Sequence, residues 1–152
     1  MKNLIVILGL VVVGFISATA QIPPVDENGL AIGGYDVVSY FDGKAQKGNA
    51  KFSAKQNGTT YWFVSAEHRD TFKKEPAKYL PQFDGFCAWG VAAKDTKFPI
   101  NPETYDIIDG KLYLFFNGLF DGKNFNTALL WSEETTKLKE QAHSKWPTVK
   151  NK

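Results

Sequence analysis

Two short turns constrain the fold of this chain more than any other feature. Asn57-Gly58 and Asp109-Gly110 stand between β-rich arms, in KFSAKQNGTTYWFVS and TYDIIDGKLYLFF. Asparagine or aspartate followed by glycine tolerates the positive φ angles of a tight hairpin turn, so both stretches are expected to form antiparallel hairpins. In the second arm of the later one, Leu112, Leu114 and Phe116 alternate with Lys111, Tyr113 and Phe115, giving one aliphatic-rich face and one mixed face. The runs GTTYWFV and KLYLFF could present an aromatic pocket, but burial preferences favour a core built from those strands.

Helical patterns fill the gaps. In SAEHRDTFKKEP, Ser65 can accept a hydrogen bond from a free first-turn amide, and Pro76 is expected to end the helix. In SEETTKLKEQAHSKW, Leu138, Ala142 and Trp146 recur every four residues on one stripe. That helix is expected to begin after Ser132, to place Glu133 and Glu134 in its first turn, and to stop before Pro147. Near the start, Gly33-Gly34 and Asp42-Gly43 bracket a short apolar run, Tyr35 to Phe41. No internal repeat stands out. Antiparallel β-hairpins packed with short helices and a C-terminal helix predict a single α+β domain.

The first 20 residues have a different character. One lysine, an apolar stretch from Leu4 to Ile16, and Ala18 and Ala20 before Gln21 follow the order of a secretory signal. The stretch is shorter than the roughly 20 apolar residues of a retained span, so no stable membrane anchor is expected after cleavage. No cysteine stands at the boundary, which argues against a lipid-anchored product. The expected organisation is a signal peptide over 1–20, a flexible polar lead-in over 21–30, a domain over 31–147 and a tail over 148–152. The product is expected to be exported, periplasmic or secreted.

Beyond residue 20 the chain has 17 basic and 16 acidic side chains. No basic stripe favours nucleic acid, and none is expected as a partner. One cysteine excludes an intrachain disulfide framework, so packing must stabilise the domain, with aromatic residues at 14% of the chain to do it.

Several blocks now resemble a known family. GGYDVVSYFDGKAQKG, TTYWFVSAEHRDTFKKEPAKYLPQFDGFCAWGVA and IIDGKLYLFFN, followed by a tryptophan and a closing KWP, resemble the exported branch of the YHS-domain family. The resemblance spans roughly residues 31–147. Related YHS and TRASH-type modules handle heavy metals, especially copper, through cysteine-rich motifs, which implies a metal-binding role. This chain departs from that pattern in carrying Cys87 alone.

Cys87 is the central chemical candidate. If a helix begins after Asp84-Gly85, its dipole and free amides would stabilise a Cys87 thiolate; alternatively, Cys87 is a small hydrophobe packed among Phe83, Phe86 and Trp89. Its exposure decides between these. Cys87, His68 and His143 are the only thiol and imidazole groups, too few for a closed zinc site of cysteine and histidine alone. One thiolate and two imidazoles would suit copper, or zinc with a carboxylate or water added, if the fold brings them together. His68, four residues before Phe72, points towards the core or a cleft rim; His143 flanks the apolar stripe of the last helix. Asp36, Asp84, Asp106 and Asp109 lie beside turn residues, and turn formation accounts for them.

No nucleophile elbow, zinc-protease helix, phosphate loop or dinucleotide fingerprint appears. The expected function is a small binding module for a thiophilic metal or a small ligand centred on Cys87. The alternatives are a thiol-based redox protein with Cys87 as nucleophile, needing an external thiol, and a non-catalytic interaction protein with an aromatic surface.

Overall fold

The computed structural model describes residues 21–152, and the expected signal at 1–20 lies outside the described residues. Among the described residues, three antiparallel hairpins and five α-helices give the α+β fold expected. The hairpins are β1 (Asn49–Gln56) with β2 (Thr59–Phe63), β3 (Asn101–Ile108) with β4 (Lys111–Phe115), and β5 (Asn117–Phe120) with β6 (Lys123–Asn126). The helices are α1 (Ala66–Lys74), α2 (Pro76–Tyr79), α3 (Ala88–Lys94), α4 (Thr127–Glu133) and α5 (Thr135–Val149). No helix among the described residues is long and apolar enough to cross a membrane.

All three hairpins turn through a non-glycine residue and a glycine at positive φ: Asn57-Gly58, Asp109-Gly110 and Asp121-Gly122. Two positive-φ residues match the right-handed twist of the flanking strands, which is why this chemistry recurs. β4 divides the interior. Leu112, Leu114 and the following Phe116 join one cluster with Tyr61, Phe63, Phe72 and Cys87, whereas Tyr113 and Phe115 join a second with Trp131, Leu138 and Ala142. Tyr113 and Phe115 on the face expected to be mixed are therefore as buried as the aliphatic face, and only Lys111 at the strand start is exposed, because helices cover both sides.

The structure contains an internal repeat that the sequence does not advertise. In both β1–β2 and β3–β4 an eight-residue strand pairs with a five-residue strand, and the register shifts at the same place, between Asn49 and Ser53 and between Asn101 and Tyr105. Each opening asparagine accepts a hydrogen bond from the amide two residues on, Lys51 or Glu103, at 2.9 Å in both. Tyr61 and Phe63 pack on Phe72 of α1, with ring centroids 5.1 Å apart; Tyr113 and Phe115 pack on Trp131 of α4 at 5.6 and 5.4 Å. Each helix then breaks at a glutamate, Glu75 (φ −139°) or Glu134 (φ −138°), that leads directly into the next helix. The unit is a hairpin, a helix carrying one large aromatic, and a second helix. In its second copy the β5–β6 hairpin is inserted between strand and helix.

Some expected boundaries are corrected. Pro76 does not merely stop a helix: α1 ends at Lys74 and Pro76 opens α2, where its missing N–H is no loss. Glu133 and Glu134 are not the first turn of one C-terminal helix but the end of α4 and the break before α5. Pro147 lies inside α5, which continues because Val149 is buried in the second cluster and Lys150 donates its amide to Trp146 at 2.8 Å. Residues 148 and 149 are thus helix rather than tail. The lead-in at 21–30 is bonded to the body: Ile22 and Ile100 exchange backbone hydrogen bonds of 2.8 and 2.9 Å, and Ile32 donates to Pro24 at 2.7 Å. Burying Ile22 against the first cluster holds the segment there.

Candidate functional site

Cys87 immediately precedes α3, close to the helix start expected after Asp84-Gly85, but its side chain caps nothing and is completely buried. The Thr127 hydroxyl donates to the Phe116 carbonyl at 2.9 Å, which leaves the Cys87 S–H to donate across 3.2 Å to the Thr127 oxygen. The neutral thiol is therefore the satisfied form. Burial, the largest effect on it, pushes the Cys87 thiol up. This is the environment of a packed small hydrophobe, the second of the two readings open to Cys87, and not that of a thiolate at a helix start.

The three expected metal ligands do not converge. Cys87 lies in the interior with Thr127. His143 is on α5, with its Nε2 3.1 Å from the Tyr113 hydroxyl and its ring 5.0 Å from that of Phe83. Burial, then the charges of Lys111 and Lys139, lower its pKa and favour the neutral ring. His68 is on α1, where Ser65 accepts its amide hydrogen at 3.1 Å as the cap expected, and its ring faces Asp36 and Asp42. No group of three His, Cys, Asp or Glu among the described residues could hold a metal ion.

Asp36 is more than the turn residue it was expected to be. It is fully buried, and its carboxylate accepts from the amides of Val38 (2.8 Å), Ser39 (3.3 Å) and Val64 (2.9 Å) and from His68 Nδ1 (2.8 Å). It ties the segment after Gly34 to the end of β2 and to α1. Its main partner is 32 residues away, so no local pattern shows the role.

The apolar surface gathers elsewhere. Trp89 and Lys94 of α3, Phe98 after it, Phe120 and Phe125 of the inserted hairpin, and Leu130 of α4 line an open groove of about 580 Å³. The rings form a continuous set: Trp89 to Phe125 at 5.4 Å, Phe125 to Phe120 at 5.9 Å and Trp89 to Phe98 at 6.5 Å between centroids. Phe120 is 55% exposed, and its neighbour Leu119 is 69% exposed. Large apolar side chains this open, on a hairpin that breaks the repeat, need a reason beyond folding. The Lys94 ammonium sits 5.5 Å from the Trp89 ring, and the Thr96 hydroxyl is also on the lining. Only Trp89 was singled out from sequence among these residues, because the groove draws on four elements and has no local signature.

Comparison with known proteins gives no relative: no family model, curated protein or solved structure matches the chain.

Proposed function

We propose that this protein is an exported, non-catalytic binding module that takes an amphipathic anionic small molecule in the Trp89–Phe98–Phe120–Phe125 groove. The observation that carries the reading is the aromatic lining, in which Phe120 is exposed and Trp89, Phe98 and Phe125 are half-buried, with one lysine at it. Its volume lies within the roughly 300–1,000 Å³ of small-molecule sites, and its composition, mostly apolar with few polar groups, is theirs as well. An apolar body would cover Phe120 and Phe125, and a carboxylate would meet Lys94. Cys87 is completely buried and out of reach of a ligand, which supports looking for binding on a surface rather than at that residue. Export rests on the secretory pattern of residues 1–20.

Tryptophan fluorescence of the chain beginning at Gln21, titrated with decanoate and separately with decanol, tests the reading. Decanoate is expected to bind. Phe120→Ser should weaken both ligands at least tenfold, and Lys94→Gln should weaken decanoate while leaving decanol unchanged. Absence of decanoate binding, or equal affinity in wild type and Phe120→Ser, overturns the proposal.

A further inference from the structure

A second, separate site stands on α1. The buried Asp36 carboxylate already accepts three backbone N–H groups, so its contact with His68 at 2.8 Å requires the proton on Nδ1. In the neutral ring the lone pair is then on Nε2. That nitrogen lies 3.4 Å from Oδ2 of Asp42, whose side chain is 60% exposed. An imidazole lone pair facing a carboxylate is a repulsive pair of acceptors unless a proton or a cation stands between them. A buried carboxylate that fixes Nδ1–H and aims Nε2 outward is also the arrangement that orients metal-ligating histidines.

The separation has meaning. Zinc–nitrogen and zinc–oxygen bonds of about 2.0–2.2 Å at a tetrahedral angle place the two donors about 3.3–3.5 Å apart. We propose that His68 Nε2 and the Asp42 carboxylate form a two-donor site for a borderline divalent cation of the zinc(II) class. Both donors line a cleft of about 460 Å³ with Glu67, Thr71, Lys78 and Tyr79. The Lys78 ammonium is drawn over the Tyr79 ring, 5.1 Å from its centroid. With two protein donors, water completes the coordination, which makes this an open, exchangeable site rather than a structural one. It involves neither Cys87 nor His143 and shares no residue with the aromatic groove.

Zinc(II) titrated into the chain beginning at Gln21, against a chromophoric chelator, is expected to show one equivalent bound. Asp42→Asn should weaken binding at least tenfold; it alters a half-exposed side chain and leaves the Asp36–His68 contact intact, so folding is not at stake. His68→Gln should abolish binding, whereas Cys87→Ala and His143→Gln should bind as wild type does. Nitrogen-15 spectra of the wild-type imidazoles should show zinc moving the His68 Nε2 resonance. No zinc uptake, uptake unchanged by Asp42→Asn, or loss of uptake in Cys87→Ala overturns the proposal, and the first of these leaves His68 and Asp42 as an ordinary ion pair.

Discussion

At the scale of single residues, burial decides chemistry. Cys87 is completely enclosed with its thiol hydrogen-bonded to Thr127, so it should resist iodoacetamide in the folded protein and label only when the chain is denatured. Cys87→Ala should cost about 1–2 kcal/mol in urea unfolding and leave decanoate binding unchanged. Rapid labelling of the native protein would contradict this. Tyr61 gives a pH dependence. Burial, then the Asp84 carboxylate, push its phenol from 10.0 up to about 12. A folded pKa above the unfolded one contributes stability that is complete below pH 10.0 and is lost as pH rises towards about 12. Urea midpoints of the wild type should therefore fall across that window, and those of Tyr61→Phe should fall less steeply. Equal slopes would mean that the phenolate forms in the folded protein without penalty.

At the scale of elements, the three hairpins share a turn but not a footing. β1–β2 buries Tyr61 and Phe63 and β3–β4 buries Tyr113 and Phe115, whereas β5–β6 leaves Leu119 and Phe120 in solvent. With little burial of its own, β5–β6 depends on its turn, where Gly122 has φ +72°. Any side chain with a Cβ is strained there, most of all a β-branched one. Gly122→Val should therefore loosen this hairpin and weaken decanoate binding severalfold, while the global urea midpoint moves little. Hydrogen exchange should show faster opening of the β5–β6 amides and unchanged protection in β3–β4. A large fall in global stability would show that the hairpin belongs to the core.

At the scale of the whole molecule, what the sequence revealed was what is local. Asn57-Gly58 and Asp109-Gly110 were legible because turn chemistry and strand pattern coincide within a dozen residues, and Ser65 was legible as a cap for the same reason. Asp121-Gly122 is the same kind of dipeptide, yet its four-residue arms NGLF and KNFN show no alternation to mark them as strands. The repeat was hidden because its shared residues are few: Asn49 and Asn101, Gly58 and Gly110, Tyr61 and Tyr113, Phe63 and Phe115. Their spacing of 52 then widens to 59 between Phe72 and Trp131, where the inserted hairpin intervenes. The groove and the Asp36–His68 contact are products of tertiary assembly, and only the fold brings their residues together. Under the proposed function, the inserted hairpin turns the second repeat into a ligand site. Amide and indole NMR shifts during decanoate titration test it most directly. Saturable shifts of the Trp89 indole N–H and of the Phe98, Phe120 and Phe125 amides are expected, with β1–β2 unmoved. Shifts centred on β1–β2, or none at saturating decanoate, would contradict it.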